Sequence, residues 1–148
     1  MRILAGAVLL ACASMSQAQL DQSVAGQLCL AAGEDSAFGV LVDGFIERDE
    51  LALSGGEELL SLQCGQDDTV LSRMVLTHQA ENLEYAVIDM GLSLSASRVE
   101  LDGESMVLSD AMKALADRGD AETREFVERY LSDLADEDFN PNLLLTLK

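Results

Sequence analysis

Apolar residues recur at the spacing of an α-helix through most of this chain, and this pattern limits the possible folds more than any other feature. Val70, Leu71, Met74 and Val75 lie at positions i, i+1, i+4 and i+5 and therefore share one face of a helix. Apolar faces of the same kind predict further helices at residues 28–32, 38–46, 83–90, 106–115 and 126–134. Strand-like alternation is rare, and aromatic residues make up 4% of the chain, which disfavours a sheet protein. The sequence therefore predicts an all-α fold.

Residues that favour helix ends stand at the boundaries of these segments. Thr69 and Ser105 each precede an apolar segment, and both side chains can accept a hydrogen bond from the first helical turn. The last long helix is predicted to begin at Asp120 or Ala121, directly after Gly119, which is expected to end the helix before it.

Residues 1–18 have the three-part plan of a secretory signal peptide. Arg2 supplies the positive charge, residues 3–13 form a mainly apolar run, and small residues lead to a predicted cut after Ala18. The apolar run is too short to cross a bilayer, which needs roughly 20 residues. We therefore expect an exported protein with a single helical domain over residues 19–148, working in the periplasm or outside the cell.

A second processing route is open at the same end of the chain. The segment Leu9-Leu10-Ala11-Cys12 resembles a lipoprotein box, in which Cys12 would become the lipidated first residue. Leu10 is bulky where a small or β-branched residue is usual, so cleavage after Ala18 is favoured over lipidation at Cys12.

The charge of the chain restricts its partners. The formal net charge is −18, from 27 acidic and 9 basic residues. Nucleic-acid phosphates and anionic lipids both attract Lys and Arg, so neither is an expected partner. Solubility is one explanation of the charge, and a basic protein partner is the other.

Cys29 and Cys64 remain once the signal peptide with Cys12 is removed. An even pair in an exported protein predicts a disulfide, which would close a loop of 35 residues and stabilise the fold by roughly 3–4 kcal/mol. Two unpaired buried thiols are the alternative. A metal site is less favoured, because the chain has one histidine and no CxxC motif.

Helix starts also recur at a regular distance. Thr69 and Ser105 are 36 residues apart, and a further 36 residues lead to Pro141, within the turn signal Asn140-Pro141-Asn142. Paired helices that recur every 33–36 residues are typical of helical repeat arrays, in which neighbouring units bury each other's apolar faces.

Short motifs resemble ankyrin repeats. Leu28-Cys29-Leu30-Ala31-Ala32 resembles the first helix of such a repeat, while Thr69-Val70-Leu71 and Ser105-Met106-Val107 resemble its Thr-Pro-Leu start without the proline. The resemblance implies a short array of about three helix pairs that binds proteins and has no catalytic activity of its own. The two cysteines around such helices also resemble small secreted bacterial domains of unknown function.

No residue is assigned a catalytic, cofactor-binding or metal-binding role. His78, the single histidine, stands near a helix end, where contact with the helix dipole or a turn carbonyl is expected. Ser105 lacks the following glycine of a nucleophile elbow and is interpreted as a helix cap. Alternating acidic and amide side chains at 136–142 resemble the start of an EF-hand loop, but Pro141 and Leu147 replace its glycine and glutamate.

The sequence therefore predicts a non-catalytic protein-binding or adaptor module with a basic partner. The alternative is a carboxylate-based hydrolase of the cell envelope, since acidic residues are abundant. A passive stability factor or inhibitor is a third possibility.

Overall fold

The computed structural model of this protein describes residues 22–51 and 55–147, so the predicted signal peptide and Cys12 lie outside the described residues. The described chain is mostly helical. Its α-helices are α1 (Gln22–Ala31), α2 (Ala37–Glu47), α3 (Gly56–Leu60), α4 (Val70–Leu76), α5 (Ala80–Glu84), α6 (Leu108–Arg118) and α7 (Ala121–Leu134). A π-helical turn at Tyr85–Asp89 continues α5, and a 3-10 helix covers Pro141–Leu147. The strands are β1 (Gln63–Gly65), β2 (Asp68–Thr69), β3 (Arg98–Leu101) and β4 (Glu104–Val107).

The four strands form two antiparallel hairpins, so the all-α prediction is wrong in this respect. In the β3–β4 hairpin, Asp102 and Gly103 occupy the turn with φ angles of 54° and 79°, the conformation that a tight two-residue turn requires. Ser105 lies in β4 opposite Glu100, and helix α6 begins three residues later at Leu108. The predicted helix start at Ser105 is therefore wrong, because strand pairing takes up this segment.

The 36-residue spacing relied on that predicted helix start. The helix pairs α4–α5 and α6–α7 are present, but no feature of the described residues identifies an ankyrin-like repeat. The resemblance to that family stays a prediction.

Two other predicted helix starts are confirmed. Thr69 accepts a hydrogen bond from the backbone N–H of Ser72 at 3.1 Å, and the Ser72 hydroxyl accepts one from the N–H of Thr69 at 2.7 Å. This reciprocal capping box satisfies two backbone donors at the start of α4. Asp120 caps α7 by accepting from the N–H of Thr123 at 2.8 Å.

Helix α4 lies at the centre of the hydrophobic core. It contacts α1, α3, α5, α6 and α7, and its predicted apolar face of Val70, Leu71, Met74 and Val75 is completely or almost completely buried. The corresponding faces of α2 and α7 contribute Phe38, Phe45, Phe126 and Val127 to the same core. Among the described residues, no helix is both long and apolar enough to cross a bilayer.

The predicted disulfide is present between Cys29 in α1 and Cys64 in β1, with their Cα atoms 5.4 Å apart. Arg73 in α4 reinforces this junction. Its guanidinium pairs with Asp68 at 2.7 Å and donates to the carbonyl oxygen of Cys29 at 2.9 Å. Helix α1 is thus fixed both to the first hairpin and to the central helix.

Candidate functional site

His78, near the end of α4, contacts a second helix. It follows α4 with a φ of 58°, and its ring lies against Phe126 at a centroid distance of 5.2 Å. Its Nε2 is 3.1 Å from the hydroxyl of Thr123, which in turn donates to Asp120 at 2.9 Å. The side chain therefore joins the turn after α4 to the first turn of α7.

The acidic segment after α7 uses its side chains to close turns. Asp136 accepts from the N–H of Asp138 at 2.8 Å, and buried Asn140 donates to the carbonyl oxygen of Leu134 at 3.0 Å. Asn142 donates to the carbonyl oxygens of residues 87 and 88 in the π-helical turn. In the described part of the chain, no group of three or more His, Cys, Asp or Glu residues is arranged to hold a metal ion.

The strongest candidate site surrounds helix α2. Phe38, Val42 and Phe45 bury one face of this helix, so the opposite face, which includes Val40 and Asp43, points outward. An open hollow lies on each flank of the outward face. We call them the acidic hollow and the apolar hollow.

The acidic hollow, about 490 Å³ in volume, lies between α2 and the α5 segment with its π-helical turn. Its charged and aromatic lining residues are Asp43, Glu81, Glu84, Tyr85 and Asp89. The Tyr85 hydroxyl donates to Asp43 at 2.6 Å across the hollow. Burial of the ring, with a further contribution from Asp43, raises the pKa of Tyr85 well above its ordinary value. The hydroxyl therefore stays protonated and holds Asp43 in place as an acceptor.

Gly39 permits this arrangement. A Cβ atom at Gly39 would lie 2.7 Å from Cδ2 and 2.9 Å from Cγ of the Tyr85 ring, closer than real Cβ contacts. The ring also meets Phe38 edge-on, with centroids 6.4 Å apart. A glycine inside a helix lowers its helix propensity, but at position 39 it makes room for the aromatic wall of the acidic hollow.

Asn82 joins the two sides of the acidic hollow, which are α2 and α5. Its side chain is fully buried, its Oδ1 accepts from the N–H of Phe38 at 3.1 Å, and its Nδ2 donates to the carbonyl oxygens of Ala31 and Glu34 at 3.1 and 2.9 Å. In the opposite direction, Asp35 accepts from the backbone N–H groups of residues 81 and 82. The turn between α1 and α2 is therefore fixed to the first turn of α5.

The apolar hollow, about 670 Å³ in volume, lies between α1 and α2. Leu30 and Val40 both line it and are 69% and 75% exposed, so one hollow presents two large aliphatic side chains to solvent. Ala37 and Leu41 form more of its lining, and Glu34 and Asp35 add negative charge. Val40 and Ser36 line both hollows, so the two form one continuous surface, which we call the α2 surface.

The α2 surface is strongly negative. Six carboxylates line the two hollows: Glu34, Asp35, Asp43, Glu81, Glu84 and Asp89. Among the described lining residues Arg48 is the one cation, and it is already paired with Glu50 at 3.1 Å. This surface offers carboxylates and exposed aliphatic groups to a partner.

Sequence reasoning missed this site. Asp43 and Tyr85 are 42 residues apart, and Asn82 stands directly before the helix predicted at residues 83–90, where the sequence gives it no assigned role. The position of Val40, off the face that Phe38 and Val42 share, was the one signal available. No protein-family model, curated protein or solved structure matches this chain.

Proposed function

We propose that this chain is an exported, non-catalytic binding protein whose partner is a basic protein. The observation that carries the proposal is the group of carboxylates on the α2 surface, which have little positive charge beside them. A concave surface lined by one sign of charge focuses the electric field and attracts groups of the opposite sign. Lys and Arg side chains of a partner would complement it.

The disulfide supports the exported location. Cysteine pairs oxidise and persist in the periplasm or outside the cell, whereas the cytosol keeps thiols reduced. The Cys29–Cys64 bond and the predicted signal peptide at 1–18 support the same location.

Exposed aliphatic groups favour a protein over a small cation as the partner. Leu30 and Val40 lie beside the carboxylates, and neither would gain from binding a small hydrophilic ion. Contiguous apolar area with a polar rim is the usual composition of a protein-binding surface.

The test is binding of a labelled oligolysine peptide to the purified full-length chain, followed by fluorescence anisotropy. We expect binding at low salt that weakens as the ionic strength rises and the screening length falls towards about 8 Å. The variant Asp43→Asn/Glu84→Gln/Asp89→Asn should bind roughly tenfold more weakly, since exposed charge pairs contribute about 0.2–1 kcal/mol each.

The matched control removes three exposed carboxylates from α6 and α7, in the variant Asp117→Asn/Glu125→Gln/Asp133→Asn. Both variants have the same net charge, so equal weakening by the two would show that binding depends on total charge and not on the α2 surface. No binding by the wild type at low salt would refute the proposal. The carboxylate-based hydrolase and the stability factor or inhibitor stay predictions.

A further inference from the structure

We infer that the partner presents a cationic amphipathic segment that crosses helix α2, with aliphatic side chains in the apolar hollow and a Lys or Arg side chain in the acidic hollow. This inference rests on the proposed binding function and specifies the partner of the same site.

The arrangement of the hollows around α2 supports a single segment that spans both. Ala37, Leu41 and Gly44 are spaced i, i+4 and i+7 and face the apolar hollow, whereas Gly39 and Asp43 face the acidic hollow. An α-helix with its side chains is about 10 Å wide, so one short segment reaches from one flank to the other. Val40, an exposed residue, lines both hollows.

Charge decides among the possible occupants of the apolar hollow. A second copy of this chain would bring a net charge of −18 against the carboxylates, and anionic lipid would meet the same repulsion. A segment with aliphatic groups and no positive charge would leave the negative charge of Asp43, Glu84 and Asp89 uncompensated. The occupant that satisfies both hollows has aliphatic and basic side chains a few residues apart.

The experiment compares two synthetic peptides of equal charge on the purified full-length chain. One is a lysine–leucine peptide with an amphipathic helical pattern, and the other is oligolysine. We expect the amphipathic peptide to bind at least about tenfold more tightly, because burial of one or two aliphatic side chains changes affinity by about that factor or more.

Two sets of variants separate the contributions of the hollows. Leu30→Gln/Val40→Thr leaves the net charge unchanged. This variant should bind the lysine–leucine peptide roughly tenfold more weakly, while its affinity for oligolysine and the salt dependence of binding stay unchanged. Asp43→Asn/Glu84→Gln/Asp89→Asn should lower the affinity for both peptides and reduce the salt dependence of binding. Leu76→Gln is the control, because Leu76 is 43% exposed at the end of α4, away from the α2 surface.

The outcomes distinguish this inference from the proposed function. If the wild type binds both peptides equally and Leu30→Gln/Val40→Thr has no effect, the inference is wrong while the proposed function stands. If neither peptide binds at low salt, both are wrong. A dimer in light scattering that Val40→Thr dissociates would also overturn the inference, since a second copy would then occupy the apolar hollow. Circular dichroism checks that each variant is folded.

Discussion

Replacement of Asn82 tests how the α2 surface is held together. In Asn82→Ala, the N–H of Phe38 loses the partner that the structure gives it, at a cost of about 1–3 kcal/mol for a buried unsatisfied donor. The carbonyl oxygens of Ala31 and Glu34 also lose a donor, but each still accepts a backbone hydrogen bond. Those two losses contribute about 0.5–1 kcal/mol each. We therefore expect the free energy of unfolding to fall by about 3 kcal/mol, a large share of the roughly 5–15 kcal/mol typical of a domain.

Asn82→Asp adds a dependence on pH. The carboxyl group keeps the acceptor for Phe38 but, when ionised, places negative charge against the carbonyl oxygens of Ala31 and Glu34. Burial and these carbonyls raise its pKa in the folded state above the unfolded value of about 3.9. The native state then binds more protons than the unfolded state, so the free energy of unfolding falls as the pH rises above about 4. We expect this variant to be less stable than Asn82→Ala at pH 7 and to recover in acid.

The assay is urea unfolding with the disulfide intact, followed by far-UV circular dichroism because the chain has no tryptophan. Asn142→Ala is the matched control. It also removes the donor to two carbonyl oxygens, but losing this side chain deprives no backbone N–H of its acceptor. It should cost about 1 kcal/mol. A loss below about 1 kcal/mol in Asn82→Ala, or an Asn82→Asp variant whose stability relative to the wild type is constant with pH, would refute the role assigned to Asn82.

Three further predictions concern other parts of the fold. Replacing both Cys29 and Cys64 with serine should lower the free energy of unfolding by roughly 3–4 kcal/mol in urea titrations. The unreduced wild type should be lighter than the reduced wild type by the mass of two hydrogens. Free thiols in exported material would contradict the disulfide. The pKa values of both tyrosines, Tyr85 and Tyr130, are raised by burial and nearby carboxylates above 10.0, so the free energy of unfolding should fall as the pH rises past about 10. Ultraviolet absorbance should therefore show their ionisation together with the loss of helix, and two tyrosines that ionise near pH 10 in a folded chain would contradict the burial argument. Gly39→Ala should destabilise by about 1 kcal/mol in thermal melts, because the clash with Tyr85 costs more than the better helix propensity contributes, and a stabilised variant would count against that contact.

The helices could be predicted where local and tertiary preferences agree. Helix α4 begins where Thr69 predicts and buries the face that its apolar spacing predicts, because that whole face lies at the centre of the core. At Ser105 the two preferences differ. A serine before an apolar run suits a helix start, but the Asp102-Gly103 turn and the alternation of exposed and buried residues in β3 favour a hairpin. Pairing of β4 with β3 makes this segment a strand. Helical spacing of apolar residues carries no information about such pairing.

The site could not be predicted in the same way, because its contacts join distant parts of the chain. Asp43 meets Tyr85, and Asn82 meets the turn between α1 and α2, across 42 or more residues. Helical spacing predicts that Phe38 and Val42 share a buried face, and so leaves Val40 outside it. It does not show that Leu30 of another helix lines the same hollow as Val40, or that six carboxylates line the two hollows beside α2.

The negative charges of Glu84 and Asp89 on the α2 surface should lower the stability of the fold, because no hydrogen bond or ion pair among the described residues uses either carboxylate. Like charges that face one hollow repel each other in the folded chain more than in the extended one. Glu84→Gln/Asp89→Asn leaves the Tyr85–Asp43 hydrogen bond intact and relieves part of this repulsion. We therefore expect the variant to melt at a higher temperature than the wild type at low salt while it binds lysine-rich peptides more weakly, which is the pattern of a surface kept for binding. The difference in melting temperature should shrink as salt is added. A variant that melts lower at low salt would show that these carboxylates stabilise the fold, and the argument that they are kept for a partner would then fail.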